Sequence, residues 1–302
     1  MAISEQWAYL LEPGLREVFF LTYEELLAQS PVNQLFNVID STKANEYFLG
    51  AGGFGDWLEY EGAIEYDDFE QLYRTTLTHK EYVRGFKVER KLVDDDQYNI
   101  IQERPRALAM AAARTREKHA ASVFNNAFST SYQGGDEKPL CEISGHPYSP
   151  SNASTQTNEA ATALTYDNVI TIFRAMQEFK DDRGELVSVS PDTLLVPPEL
   201  AQTAKEILLT TQNKPNTADT VVNYVNTFLR DVIVWHYLTD ANAWFLIDSG
   251  LAKRHLLWVD RVGMEFALDP TSNFRLEARY RGYMRYSYGW SDWRWVYGCN
   301  PS

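Results

Sequence analysis

One glycine pattern in this sequence matches a cofactor loop letter for letter: Gly50-x-Gly52-x-x-Gly55. A dinucleotide site of that type needs a strand before the glycines and, after them, a helix whose N-terminus holds the pyrophosphate. Glu46 to Leu49 supplies a candidate strand, but Asp56 to Tyr66 is acidic and glycine-punctuated, with no amphipathic helical pattern. Gly50, Gly52, Gly53 and Gly55 therefore read as a flexible hinge, and no cofactor is expected. The histidines at 79, 119, 146, 236 and 255 are scattered, and neither His-Glu-x-x-His nor Cys-x-x-Cys occurs, so no metal site is expected. A Gly-Lys-Ser/Thr phosphate loop and a Gly-x-Ser-x-Gly nucleophile elbow are both missing from the chain. Asp94-Asp95-Asp96 carries charge enough for a divalent cation, but reads better as the cap of the helix that follows it.

Two further constellations have chemical alternatives. Arg279, Arg281 and Arg285 alternate with Tyr280, Tyr283, Tyr286 and Tyr288. Arginine–aromatic interleaving suits single-stranded nucleic acid, and it equally suits a strand whose arginines meet carboxylates of a neighbouring element or subunit. The chain holds 42 acidic and 28 basic residues, a net charge of −14, so the second reading is favoured and a general phosphate-binding surface is excluded. Trp290, Trp293 and Trp295 make a sugar-binding or hydrolytic β-rich protein conceivable, provided that they converge with Asp67, Asp68, Asp94 and Asp96. No catalytic residue is assigned from the sequence.

The elements that must position these groups follow from periodicity. With 44% hydrophobic residues the 302-residue chain can bury one large core or two smaller ones. Cys141 and Cys299 make no disulfide framework, and the N-terminus lacks a basic start and an apolar run. No segment approaches the ~20 apolar residues of a membrane span, so a soluble protein made in the cytoplasm is expected. Residues 1–48 read as an arm with little core of its own, punctuated by Pro13-Gly14 and Pro31, with a short helix from Thr22 to Ala28 capped by Thr22. Residues 56–93 read as two extended limbs about Asp67-Asp68. From Pro105 to about Phe128 a helix is expected, with Ala109, Ala113, Ala120, Phe124 and Ala127 on one face. After a loop-rich passage, Tyr166–Phe179 forms an amphipathic helix that Asp167 can cap. Asp192–Ala201 is a buried strand with a Pro-Pro corner into a helix ending near Leu209, and Gln212–Thr220 a polar loop. Strands are expected at Asp231–His236, Ala243–Asp248, Val262–Leu268, Phe274–Tyr288 and Trp293–Tyr297.

The order of these parts resembles the major capsid protein of tailed bacteriophages, the Hong Kong 97-type shell subunit, in the lineage of the Mu-like head subunit. Leu92 to Asn99 with Pro105 to Ala113 is similar to the junction of E-loop and spine helix. Leu194-Leu195-Val196-Pro197-Pro198 resembles the strand and corner that open the A-domain helix. Thr227–Val234, Ala243–Asp248 and Phe274–Tyr288 resemble later strands. The resemblance implies an α+β fold: N-terminal arm 1–48, E-loop hairpin 49–93, spine-helix P-domain 94–188, A-domain 189–261 and return strands 262–302. It implies a structural protein without catalysis, forming hexamers and pentamers of an icosahedral shell around double-stranded DNA in the virion, after synthesis in the bacterial cytoplasm. A portal and separate scaffolding or decoration proteins are the implied partners, with no membrane. Candidate intersubunit contacts are Lys80, Arg84, Lys87, Arg90, Arg279, Arg281 and Arg285. An encapsulin-type nanocompartment shell is the alternative within the same fold.

Overall fold

The computed structural model describes residues 7–57, 59, 62, 66, 68, 70–95, 98–209, 223–269 and 276–301. The chain opens with helix α1 (Trp7–Ala28) and a short α2 (Pro31–Leu35), then strands β1 (Asn37–Asp40), β2 (Asn45–Ala51), β3 (Gln71–Thr78) and β4 (Lys80–Glu89). Helices α3 (Arg90–Asp94) and α4 (Tyr98–Asn125) follow. The middle holds β5 (His146–Pro147), β6 (Thr155–Gln156), β7 (Glu159–Ala160), α5 (Tyr166–Gln177), β8 (Thr193–Val196), α6 (Ala201–Leu209), β9 (Asp231–Val234) and β10 (Trp244–Ile247). The end comprises α7 (Ser249–His255), β11 (Leu256–Leu268), β12 (Glu277–Trp290) and β13 (Val296–Cys299).

Two sheets organise these elements. The first runs β1-β11-β12-β4, with β1 parallel to β11 and the other pairs antiparallel. In β12 burial alternates almost strictly, and Ala278, Tyr280, Met284 and Tyr286 form its inner face. The second runs β7-β13-β10-β8-β9, and its central strands β8 and β10 are buried throughout. A strand covered on both faces reads as a continuous apolar run, which is why Leu194–Val196 and Trp244–Ile247 stand out in the sequence.

Helix α4 serves both sheets. Its first half buries Ile101, Leu108, Ala109, Ala112 and Ala113 against α1 and the first sheet, in a core that includes Phe19, Val88, Phe266 and Tyr280. Its second half buries Ala120, Ala121, Val123 and Phe124 in the larger core around the second sheet. Phe124 meets the rings of Phe245 at 5.3 Å, Trp235 at 6.0 Å and Trp295 at 6.1 Å. Ala127, just past the helix end, is buried too.

Between the two cores lies Arg116. Its guanidinium reaches Asp260 of β11 (3.2 and 3.3 Å to the two carboxylate oxygens) and stands 4.4 Å over the Trp258 ring. The Trp258 indole N–H also donates to Asp260, at 2.9 Å. Arginine and aspartate side chains are 9% and 15% exposed, so this is a buried ion pair. One turn on, His119 lies between Tyr82, Tyr286 and Tyr288, with Nδ1 2.7 Å from the Tyr286 hydroxyl.

Several sequence expectations are corrected here. The arm is not a loose segment with one short helix: α1 is a single 22-residue helix. Ala8, Leu15, Phe19 and Tyr23 recur at helical spacing and are buried against α4 and β11, so burial carries the helix through Pro13-Gly14. Thr22 is therefore interior, and its hydroxyl donates back to the Val18 carbonyl. Helix α4 starts at Tyr98, which leaves Pro105 inside it; the added turn buries Ile101. Asp94 ends α3 and Asp95 caps it, so they do not cap the long helix; Asp96 lies outside the described residues. The cap of α5 is Thr165, whose hydroxyl accepts from Asn168 N, and not Asp167. Gln212–Thr220 and Phe274 lie outside the described residues.

The largest difference concerns the ribbon. Its limbs are β2 and β3, paired from Asn45↔Thr78 to Ala51↔Gln71, rather than two limbs within 56–93. Strand β4 leaves the ribbon after the single residue His79 and pairs with β12 from Tyr286↔Lys80 to Glu277↔Glu89. Both strands alternate in sequence, and only β12, a partner far along the chain, separates them.

Replacing Arg116 by Ala leaves Asp260 buried without its counter-charge, and should cost about 3–5 kcal/mol in denaturant unfolding. Arg116→Met combined with Asp260→Leu should recover most of that loss. Burial also holds the pKa of His79, His119 and His255 below the ordinary histidine value. The unfolded chain then takes the proton first, so stability is fully present above about pH 6.5 and declines as pH falls below it. The melting temperature should drop between pH 7.5 and 5.5, and drop less for His119→Phe, which keeps a ring in the tyrosine stack.

Candidate assembly surface

The ribbon β2–β3 and the chain between its limbs carry the most exposed aromatic surface among the described residues. Trp57 is 100% and Tyr66 89% exposed, and Tyr47, Leu49 and Phe54 are also exposed. A large ring held in water at the end of a two-stranded ribbon has surface to bury against a partner. The same stretch is strongly acidic: residues 51–70 hold seven Asp or Glu and no Lys or Arg, a charge of −7 out of the chain's −14.

The glycines expected to act as a hinge have specific neighbours. Gly50 sits in β2, where a Cβ would come 2.8 Å from the Leu72 Cβ. The Gly52 N–H donates to Glu70 O at 2.8 Å, and a Cβ there would stand 2.5 Å from Asp182 Oδ2. The Gly53 N–H donates to Asp182 Oδ1 at 3.0 Å, while its carbonyl accepts from Arg183 Nε at 2.9 Å. Arg183 also reaches Asp68 O at 3.4 Å. Glu70 accepts from the Ser149 hydroxyl and from Ser151 N, each at 3.3 Å. The glycines at 52 and 53 thus let backbone approach the turn at 181–183 closely, forming a clasp past the Ala51↔Gln71 end of the paired strands, at the neck of the segment that joins them. Gly55 lies beyond it, outside any strand.

Of the basic residues expected at contacts, Lys87, Arg279, Arg281 and Arg285 share the outer face of β4–β12, Lys80 and Arg84 pair with Tyr286 and Gly282 on the opposite face, and Arg90 opens α3. Lys87 lies 3.6 Å from Glu277, and Arg279 Nε donates to the same Glu277 at 2.8 Å. These arginine and lysine contacts hold the Glu277 carboxyl below the usual range. Arg90 meets Asp94 at 3.4 Å. Arg285 is 3.9 Å from Glu81, and Lys80, Arg84 and Arg281 are exposed.

No described cluster has the form of a catalytic or metal centre. Trp290, Trp293 and Trp295 are buried, so they present no open sugar-binding face; Asp68 lies at the ribbon neck and Asp94 at the end of α3, while Asp67 and Asp96 lie outside the described residues. Among the described residues no group of three His, Cys, Asp or Glu is placed to hold a metal ion, and no helix is long and apolar enough to cross a membrane. One constellation that sequence reasoning missed does resemble a general-base pair: His146 Nδ1 lies 2.5 Å from Asp136 Oδ2. Asn158 donates its Nδ2 to Leu140 O and Val296 O, which turns its Oδ1 toward His146 Nε2 at 3.2 Å. Both ring nitrogens are thereby occupied, the ring stacks on Trp293 at 4.3 Å, and the residue is wholly buried. It pins the loop passage from 129 to 165, and its spacing of ten residues from Asp136 gave no signal in the sequence.

A profile of the phage capsid protein family matches residues 73–298. No curated protein matches the chain. Among solved structures, the capsid of bacteriophage JBD30 is 17% identical, with a TM-score of 0.55 over 70% of this chain and 91% of that one. The JBD30 procapsid subunit, also 17% identical, covers 97% of this chain and 76% of its own, at a TM-score of 0.52. The capsid of an empty GTA particle is 13% identical, with a TM-score of 0.55 over 90% of each chain. The two-sheet, long-helix fold described above is thus that of phage capsid subunits, the Hong Kong 97-type fold, and the chain belongs to the phage capsid protein family.

Proposed function

We propose that this major capsid protein builds the icosahedral head of a tailed phage, as hexamers and pentamers enclosing double-stranded DNA. The observation that carries the reading is the ribbon: it holds Trp57 and Tyr66 in water on a neck clasped to the subunit body. A shell of repeated copies buries such surface, and interfaces beyond ~2,000 Å² offset the ordering cost. In this reading β2–β3 is the E-loop, α4 the spine helix of the P-domain, and the second sheet with α5 and α6 the A-domain. The subunit has no catalytic step of its own. It is made in the bacterial cytoplasm and ends in the virion, with a portal and separate scaffolding or decoration proteins as partners. DNA is retained by confinement, to which a net charge of −14 is no obstacle. The phage capsid family match speaks for this reading over a cellular nanocompartment.

The chain expressed with its neighbouring reading frames should give closed particles, tubes or capsomers by sedimentation and negative-stain microscopy. A monodisperse monomer at every concentration and salt would defeat the proposal. Because every copy carries −14, shell yield should rise as salt goes from about 10 to about 150 mM, where the screening length falls from ~30 to ~8 Å. A flat response would show that net repulsion does not govern assembly. Cutting the clasp with Asp182→Ala and Arg183→Ala should raise the rate of proteolysis within 52–70 by about tenfold while leaving the melting temperature within a few degrees.

A further inference from the structure

Where the chain passes from ribbon to sheet, three basic side chains converge. His79 is the single residue between β3 and β4, and its Nδ1 is bonded to the Ser287 hydroxyl at 3.0 Å. Ser287 and Arg285 point to the same face of β12, two residues apart. Arg261 occupies the register shift in β11 between Asp260, which pairs with Tyr286, and Val262, which pairs with Arg285. Arg285, Arg261 and Glu46 are the charged groups that act on the His79 ring.

The crevice is short of acceptors. His79 is 6% exposed, yet its Nε2 has no hydrogen-bond partner, and the buried Nε of Arg285 has none either. The carboxylate paired with Arg285, Glu81, stands 3.9 Å away. Arg261 makes no hydrogen bond or ion pair with a described residue. Among the described residues the acid that acts on His79 is Glu46, and it is already engaged by the Ser41 hydroxyl at 2.6 Å and Lys43 at 3.2 Å. An Arg285 N–H withdrawn from water without an acceptor costs free energy, as does the His79 Nε2–H of the tautomer whose Nδ1 accepts from Ser287, so an incoming carboxylate accepting from them recovers what the isolated subunit forgoes.

We propose that the crevice of His79, Arg261 and Arg285 binds a carboxylate presented by a second copy of this chain, from the acid-only stretch between β2 and β3. Charge complementarity singles out that occupant: residues 51–70 carry seven acids and no base, and Asp56, Glu59 and Asp68 are exposed. The ribbon's own root packs beside the crevice through Leu77 and Phe48 against Leu257 and Val259. A second copy's acids then complete a site that the first copy leaves half made. This inference rests on the shell reading, since it needs two copies side by side.

The test is a charge exchange read by shell yield. Arg261→Glu with Arg285→Glu, and separately Asp56→Lys with Glu59→Lys and Asp68→Lys, should each lower the yield of closed particles by about tenfold or more. Combining all five substitutions should restore the yield to within about threefold of the unaltered chain. Arg261→Gln with Arg285→Gln, which keeps size and removes charge, serves if the reversed variant does not fold. Arginine variants that assemble like the unaltered chain, or a combined variant no better than its parts, overturn the crevice proposal. Failure of the unaltered chain to form particles at all would instead overturn the shell reading.

Discussion

The subunit depends on one buried ion pair. Arg116 lies where α4 leaves the core of α1 and the first sheet and enters the core of the second, and Asp260 holds it to β11. A helix of 28 residues spans about 42 Å, longer than one small core can cover. Such a helix needs a fixed point between its two apolar stretches, or each half is free to shift against its own sheet. Stacking on Trp258 and the indole bond to Asp260 give the pair a single geometry. Buried pairs of this kind are weak sources of net stability but strong constraints on register. For a shell subunit, register is the quantity that matters, because an error in one copy is repeated across every contact.

From that fixed point the rest follows outward. Strand β12 presents Tyr280 and Tyr286 inward to α1 and α4, and by the two-residue period its arginines must then point outward. The Tyr280 hydroxyl donates to Ala8 O at 2.8 Å, so the same strand also ties down α1. On the other side of the molecule Arg294 binds Asp292 at 3.0 Å and donates to the carbonyls of Lys180 and Tyr148. Burial alone would push the Asp292 carboxyl up, yet Arg294 and His255 hold it below the usual range. These contacts secure the loops at 149–152 and 180–183, and those loops grip the neck of the ribbon. The ribbon's direction is thus set by a chain of polar contacts running from the C-terminal turn.

What the sequence revealed, and what it hid, divides by the range of the contacts. Helix α5 was legible because Val169, Ile172, Phe173 and Met176 share a face and all are buried. The strands at 193–196, 231–234 and 244–247 were legible as short apolar runs. Helix α1 was not, because Pro13-Gly14 reads locally as a break and packing on α4 and β11, where Phe266 lies 5.1 Å from Phe19, overrides it. The division of β3 from β4 was hidden for the same reason: His79 looks like any strand residue until Ser287 is brought beside it. Gly52 and Gly53 were noticed for their freedom, whereas the structure uses their lack of a side chain to admit Asp182. His146 was weighed only as one of the scattered histidines, and its grouping with Asp136 and Asn158 stayed hidden, since a buried polar triad has no period and no motif.

The distribution of charge bears on how such a subunit stays single before it assembles. An exposed two-stranded ribbon tipped with Trp57 and Tyr66 invites edge pairing and sticking between copies. Seven acids and no base in the same 20 residues make any tip-to-tip approach a meeting of like charges. The repulsion acts between tips and fades within a screening length, so it leaves the folded body untouched. It becomes attraction only where a basic surface is offered, and the first sheet offers one in Arg261, Arg281 and Arg285. Placing like charge on the reaching part and opposite charge on the receiving part excludes the wrong contact and rewards the right one with the same residues.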